Sequence, residues 1–382
     1  MKHKKITVVY IITKLELGGA QKVCLSLCSG MQAHNMNAIL ISGTQGPLVE
    51  QAQQHANTIL LKTFTREVGF FSLIQEIRNF FTLIQELRKL KKIHNDIIVH
   101  THSTKAGIVG RWAAFFAGIK QRVHTIHGFA FHPYQSWFAW LPIYLIELCT
   151  SFVTTHFVCV AAADVKVGMK LFPHFGSKHS IIRAAVDWKH FYQPARIVTN
   201  FPENVEPFIF GTVACFKQQK NLFDLLTAFA HVHEQNSATR LELIGDGHLR
   251  PAIEAWIVQH NLEKVITLHG WQQNVVPYMT RWHAFVLSSL WEGLPCAVVE
   301  ARLLKLPVLA YNTGGIKEVI SDGDNGFLYG QKDWRSLATG MLDLTKNSPL
   351  YTKLQKHAEY LEDFNDQNMS RHHAKLYEKL LK

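Results

Sequence analysis

Short runs of aliphatic and β-branched residues alternate along this chain with longer stretches whose apolar positions recur at helical spacing. The runs ITVVYII from Ile6, NAILIS from Asn37, DIIVHTH from Asp96, RVHTIHG from Arg122, HFVCV from His156 and HSIIRAAV from His179 have the length and composition of strands. What separates them leaves room for helices, so the pattern predicts strand, helix, strand units with parallel pairing. A proline-bearing stretch, YQPARIVTNFPENVEP, interrupts the rhythm. It restarts with FIFGTVA at Phe208, RLELIG at Arg240, VITLHG at Val265, AFVLSS at Ala284 and PVLAY at Pro307. The expected fold class is α/β, with two Rossmann-like doubly wound parallel-sheet domains in tandem. Their bounds are read as 1–192 and 208–360, with a linker at 193–207 and a final helical segment, 361–382, packing back on the first domain. Open parallel sheets bind ligands beyond the carboxyl ends of their strands, so the two domains are expected to face each other across a cleft.

Two segments stand out from this rhythm. FFSLIQEIRN at Phe70 is followed at once by FFTLIQELRK at Phe80, and ten residues are close to three helical turns. The repeat is expected to lengthen one amphipathic helix, with Phe, Leu and Ile of both copies on nearly the same face. Its basic continuation, Arg88, Lys89, Lys91 and Lys92, suits either a solvated helix end or a membrane surface. The second segment, QSWFAWLPIYLIEL from Gln135, suits core packing and a bilayer interface equally, with Trp137 and Trp140 as anchors. It belongs to 24 residues between Arg122 and Glu147 that contain no Lys, Arg, Asp or Glu. Three histidines and two prolines in that interval argue against a spanning helix. The amino-terminal apolar run is short and leads into Gly18 and Gly19, so it reads as a first strand and not as a signal peptide.

A hydrophobic fraction of 47% and a charged fraction of 18% are globular values, and 382 residues suit two domains. The net charge of +11 changes the picture more. Residues 1–191 hold 21 basic and 9 acidic side chains, a net +12, whereas residues 192–382 hold 19 and 20, a net −1. The first half is therefore expected to face something anionic: an acidic membrane, a phosphate-bearing acceptor or nucleic acid. Six cysteines without a CxxC pair favour free thiols and a cytoplasmic location.

Candidate chemistry concentrates in LWEGLPCAVVEARLLKLPVLA, residues 290–310. Glu292, Gly293 and Leu294 would form the loop after a strand, with Leu294 at the cap and Pro295 at the first position of the next helix. Leucine offers no capping oxygen, so the amides of Cys296 and Ala297, at the positive end of the helix dipole, make an anion site. Glu300 lies eight residues beyond Glu292, about 80° and about 12 Å away on an ideal helix, too far for one small metal ion. The pair fits the two ends of an extended ligand with phosphates in its middle, a nucleotide sugar. By spacing alone it reads as readily as a loop glutamate and a solvated helix glutamate. Lys217, Lys220 and Asn221 follow the first strand of the second domain, where a lysine can neutralise a leaving diphosphate. Gly314 and Gly315 follow a later strand, where backbone can approach a ligand closely.

With these motifs the chain resembles the family 4 retaining glycosyltransferases of the GT-B fold, over nearly its whole length. EGLPCAVVE followed by ARLLKLPVLAYNTGGIKEVI is the most specific element, and ITKLELGGAQK, HTHSTKAG and TIHGFAFH resemble the bacterial subgroup that builds surface polysaccharides on lipid-linked acceptors. The resemblance implies that Glu292 contacts the donor sugar, Glu300 the ribose and Lys220 the diphosphate. It implies also that Gly19 serves the phosphate or acceptor side, that His127 lies near the reacting carbon, and that Trp271 and Gln272 lie near the base. Lys217, Asn221, Gly293, Leu294, Pro295 and Cys296 complete the donor set, and Gly18, His102 and Lys105 the acceptor side. Retention would then proceed by front-face attack guided by the leaving group. Two departures are evident: Cys215 stands where many members have arginine, with Lys217 as its expected substitute, and Ala184 and Ala185 stand where Asn-Gly is frequent.

The expected partners are a nucleotide sugar, UDP- or GDP-linked, a lipid-linked or saccharide acceptor, and the inner face of the membrane as a peripheral contact; no nucleic acid and no cofactor or metal is expected. His100 and His102 could hold a metal with a third ligand, but a loop-facing pair hydrogen-bonded to backbone is the expected arrangement. Asp322 and Asp324 imitate the DxD of metal-dependent transferases, yet their glycine-rich setting reads as a hairpin or loop turn. Rival functions are a nucleotide-sugar epimerase of the same fold and a non-catalytic nucleic-acid or membrane binder. Donor consumption without an acceptor would favour the first, and steeply salt-dependent RNA or DNA binding the second.

Overall fold

The computed structural model describes residues 5–55, 57–62, 64, 73–192, 201, 207–355 and 359–382. Of the expected linker, 193–207, all but Phe201 and Pro207 lies outside the described residues, as do Phe70 and Phe71 of the repeat. The chain divides into two compact units, Met1–Ala185 with Asp363–Lys382, and Val186–Glu362.

The first unit runs β1 (Thr7–Ile11), α1 (Gly19–Gly30), β2 (Asn37–Gly43), α2 (Val49–His55), β3 (Asn57–Leu61), α3 (Leu73–Ile93), β4 (Ile97–His102), α4 (Thr104–Phe116), β5 (Gln121–Ile126), α5 (Trp137–Val153), β6 (His156–Cys159), α6 (Ala162–Leu171) and β7 (His179–Ile181). Its parallel sheet has the order β3-β2-β1-β4-β5-β6-β7. Alternation along the central strands sends Val9, Ile11 and Val99 to one face, where they bury against Leu83 and Leu87 of α3 and Ala113 of α4. Tyr10 and His100, register partners on β1 and β4, share the opposite face. The second unit runs α7 (Trp188–Phe191), β8 (Phe208–Val213), α8 (Leu222–Gln235), β9 (Thr239–Ile244), α9 (Arg250–Gln259), β10 (Ile266–Leu268), α10 (Val276–Met279), β11 (Ala284–Leu287), α11 (Cys296–Leu303), β12 (Val308–Tyr311), β13 (Gly326–Tyr329), α12 (Trp334–Lys346) and α13 (Ser348–Leu354). Its parallel sheet has the order β10-β9-β8-β11-β12-β13 around a core of Phe210, Phe229, Leu241, Leu243 and Met341. The last helix, α14 (Asp366–Leu381), returns to the first unit and packs on α1.

In each sheet the chain reverses its winding beside the first strand, between β1 and β4 and between β8 and β11. Such switch points splay the following loops apart and leave a crevice at the strand ends. Three local expectations need correction. HSIIRAAV contributes only the three-residue edge strand β7. NTILL and GFLY, not foreseen as strands, form β3 and the edge strand β13. The described part of the first copy, from Leu73, and the second copy lie on one helix but do not share a face: Ile84 and Leu87 are buried, whereas their counterparts Ile74 and Ile77 are exposed. Ten residues turn an ideal helix about 80° short of three full turns, enough to carry one copy off the buried stripe.

Candidate functional site

In the second unit the loops after the switch-point strands β8 and β11 are tied to each other. After β8 the chain makes a short 3₁₀ turn, Gln218–Lys220, and Asn221 takes left-handed dihedrals (φ 46°, ψ 47°) before α8 begins. Ser288, just beyond β11, reaches across with its Oγ 3.0 Å from the carbonyl oxygens of both Lys220 and Asn221. The Leu290 amide donates to the Gln219 carbonyl at 2.8 Å, and Gln219 Nε2 donates to the Trp291 carbonyl at 2.7 Å. This stitching brings the Lys220 ammonium into an ion pair with the Glu292 carboxylate, both side chains largely buried. Asn221 Nδ2 and Ser289 Oγ are buried there with no hydrogen-bond partner among the described residues, unspent polar capacity of the kind that a ligand satisfies.

The far side of the Glu292 loop rests on Gly314 and Gly315, after β12. Gly314 has φ 53°, and a Cβ there would fall on the Glu292 carbonyl, so only glycine fits. The Gly315 amide donates to the Gly293 carbonyl at 2.7 Å, and Thr313 Oγ1 to the Leu290 carbonyl at 3.1 Å. Helix α11 then starts one residue later than expected. Pro295 is its extended N-cap (φ −76°, ψ 103°), not its first helical residue, and Leu294 is a buried loop residue, not the cap. Proline as cap still supplies no side-chain hydrogen bond to the helix start, so the cap residue itself does not offset the positive end of the dipole. Glu300, one turn on, is buried, which removes the alternative of a solvated helix glutamate.

Trp271 is half exposed in the loop after β10, and Gln272 Nε2 donates to the His269 carbonyl at 2.8 Å. His269 is held in turn by Glu242 at 3.1 Å, a carboxylate that also accepts from Trp282 Nε1 at 2.9 Å. Cys215 is partly buried, with its carbonyl accepting from the Lys217 amide at 2.8 Å. Asp322 and Asp324 flank a turn at Gly323 (φ 76°), with Asp322 Oδ1 accepting from the Leu328 amide at 2.9 Å.

In the first unit Gly18, Gly19, His102, Lys105 and His127 collect at the carboxyl ends of the adjacent strands β1, β4 and β5. Gly18 is the N-cap of α1, and neither α1 nor α4 has a side-chain cap. Ser103, the N-cap of α4, is held at φ 65°, and Lys105 in the first turn pairs with Glu76 at 2.6 Å. His127, just past β5, has its Nε2 3.0 Å from His102 Nδ1. His102 lies against His100, ring centroids 4.5 Å apart. His100 is clamped between Thr125 Oγ1 at 2.7 Å and the Tyr377 hydroxyl of α14 at 2.6 Å, and Tyr377 meets Tyr10 at 3.1 Å. This corrects the expected loop-facing, backbone-bonded pair: both histidines are wholly buried and bonded to the side chains of Tyr377, Thr125 and His127. Burial first, and neighbouring histidines second, push His100 and His102 well below the usual imidazole range, and burial with His373 lowers His127 to about 4. The cluster is therefore neutral at pH 7. Among the described residues no group of three or more His, Cys, Asp and Glu is arranged to hold a metal ion.

Gln219, Ser288, Thr313 and the His100–Tyr377 contact had not been singled out in the sequence. Gln219 had a signal, its position beside Lys220; the others join residues far apart in the chain.

The family model for glycosyl transferases group 1 matches residues 196–360, and the model for Glycosyltransferase Family 4 matches residues 17–187. An Escherichia coli UDP-Gal:alpha-D-GlcNAc-diphosphoundecaprenol alpha-1,3-galactosyltransferase is 29% identical over 356 residues, 91% of this chain and 90% of that protein. The capsular polysaccharide biosynthesis glycosyltransferase CapM of Staphylococcus aureus is 21% identical over 84% of this chain and 83% of its own. Among solved structures, Anabaena HepE in complex with UDP and glucose superposes with a TM-score of 0.81 at 17% identity, covering 98% of this chain and 99% of that one. The two parallel-sheet units are thus those of the GT-B fold.

Proposed function

The chain belongs to the family 4 glycosyltransferases, and on that premise we propose that it is a retaining enzyme that moves a hexose from a UDP-sugar to a lipid-linked saccharide at the inner face of the membrane. The single observation that carries the donor half is the pairing of Lys220 with Glu292 of the loop that leads into α11, whose proline cap offers the helix start no side-chain hydrogen bond. A diphosphate takes the helix start and the Lys220 ammonium, which neutralises charge as the leaving group departs. Glu292 is then freed toward sugar hydroxyls, and buried Glu300 accepts from the ribose. The donor nucleotide is supported by the UDP held by HepE and by the donor named for the E. coli relative. That relative's diphosphoundecaprenol-linked acceptor and the basic first half of this chain support the acceptor class.

The acceptor side falls to Gly18, Gly19, His102 and Lys105, with His127 directed at the donor sugar. A neutral imidazole held by His102 suits a hydrogen-bonding role toward sugar hydroxyls better than a charged one. No cofactor or metal enters this reading; the positive charge comes from lysine and the helix dipole.

The test is a panel of UDP- and GDP-sugars incubated with the protein, with and without membrane lipid extract, scored by nucleotide release and by the anomeric configuration of the product. Acceptor-dependent UDP release with retention is expected, and Glu292→Ala and Glu300→Ala should each lower turnover about 100-fold. Normal activity in both variants, or an inverted product, refutes the assignment.

A further inference from the structure

Helix α5 is apolar on both sides. Inward, Trp140, Ile143, Tyr144 and Leu148 pack against a core that includes Phe131, Phe157 and Phe172, and Glu147, Thr150 and Ser151 are buried. Outward, Phe138, Leu141, Leu145, Cys149 and Phe152 fall at intervals of three and four along the exposed side. A helix at a water-facing surface has a polar outer face instead. The polar residues are specifically engaged inward: Glu147 pairs with buried Arg111 of α4 at 2.8 Å, and Thr150 Oγ1 accepts from Trp112 Nε1 at 3.1 Å. Rotating α5 to hide its apolar stripe would strand those groups, so the exposed stripe is built into the fold. Trp137 and Phe138, stacked at 4.0 Å, are 63% and 71% exposed at the helix start.

The neighbouring helices also expose apolar side chains. Helix α4 packs against both α3 and α5, and it ends in Phe115 and Phe116, about half exposed, with exposed Phe81 of α3 nearby through Phe80. Cations frame this aromatic edge. Arg88 donates to the Phe116 carbonyl at 3.1 Å, Lys91 to the Gly118 carbonyl at 2.8 Å, and the Arg122 guanidinium lies 5.5 Å from the Phe115 ring. The acidic residues of the three helices are each paired, Glu76 with Lys105, Glu86 with Lys89 and Glu147 with Arg111. The layer therefore presents net positive charge around an apolar face.

We propose that the α3–α4–α5 layer is a membrane-docking face, seated on an anionic bilayer with α5 lying in the headgroup boundary and Trp137 and Phe138 as its anchors. Aromatic residues with flanking cations match the chemistry of that boundary. None of the described helices is long and apolar enough to cross a membrane, so contact is from one side. The inference rests on the reading that the acceptor is lipid-linked, and it names the surface that brings the enzyme to it.

The experiment is sedimentation of the full chain with vesicles of phosphatidylethanolamine and phosphatidylglycerol, and with vesicles of phosphatidylcholine alone, beside calorimetric UDP binding. The double variant Trp137→Ser/Phe138→Ser is compared with Val258→Ser, an equally exposed apolar residue of α9. Sedimentation with the anionic vesicles is expected, weakened by salt, and reduced roughly 10-fold in the double variant but unchanged in Val258→Ser. A wild-type chain that stays in the supernatant, or a double variant that sediments like wild type, overturns the inference. So does a wild-type dimer in vesicle-free solution that the double variant dissociates, since a second copy would then cover the face. Failure to bind UDP would strike the glycosyl-transfer reading and leave the vesicle result standing.

Discussion

At the residue scale the question is what replaces the arginine that Cys215 displaces. Lys220 is already engaged by Glu292, so one lysine serves both a carboxylate and, on the proposed reading, a diphosphate. A second cation is needed to balance a departing diphosphate, and Lys217 stands three residues before it at the N-cap of the same turn. Lys220→Ala is expected to lower turnover by about 100-fold or more, and Lys217→Ala by a smaller but measurable factor at unchanged protein stability. Wild-type rates in Lys217→Ala alongside an inactive Lys220→Ala would remove Lys217 from the site. The side chains most directly involved were legible because charge after a strand is conspicuous. Their orientation was not: the Ser288 and Gln219 bonds depend on β8 and β11 being sheet neighbours, which no local pattern encodes. The helix start slipped by one residue because proline satisfies both the cap and the first turn through the same fixed φ.

Elements were legible wherever the apolar period was long and misread where it was short or duplicated. β3 and β13 are brief runs that take their strand character from pairing with β2 and β12. The repeat in α3 deceived because duplicated sequence suggests duplicated environment, while helical geometry rotates one copy off the sheet. The loop from β11 to α11 offers a sharper test of element against element, since it is packed against the glycine turn after β12. Gly314→Ala must meet both left-handed strain and the Glu292 carbonyl, whereas Gly323→Ala (φ 76°) meets strain alone, with nothing near its Cβ. We expect Gly323→Ala to cost about 1 kcal/mol of stability without changing UDP affinity. Gly314→Ala should cost more, of order 1–3 kcal/mol, and weaken UDP binding by displacing the loop. Equal effects of the two changes, by calorimetric unfolding and nucleotide titration, would mean that the close packing does not shape the site.

For the whole molecule, the charge split between the two halves was visible in the sequence, but which helices present it was not, because a helix apolar on both sides reads the same whether its outer side is covered or exposed. The histidines give the two units different responses to acid. His100, His102, His124, His127, His156 and His373, all in the first unit, are lowered chiefly by burial, with His127, His156 and His373 at about 4. His124 also faces Arg111, and His156 faces His179 and Lys379. The second unit has His283 at about 4 and a lesser lowering at His233. In the unfolded chain these imidazoles titrate near 6.5, so between about 6.5 and about 4 the unfolded state binds more protons and stability falls as pH falls. For wholly buried His373 alone the difference is about 3 kcal/mol at the low end of that window. Several such groups approach the total stability of a domain, about 5–15 kcal/mol, and they converge where α14 meets β4. Acidification from about pH 7 to about pH 5 should therefore split thermal unfolding into two transitions, the first unit melting first with uptake of more than one proton. Hydrogen exchange should show α14 and β4 opening before β8 and β11. Parallel loss of both units, or a first unit indifferent to pH in this window, would mean that the imidazoles titrate normally and that the cluster is open to water.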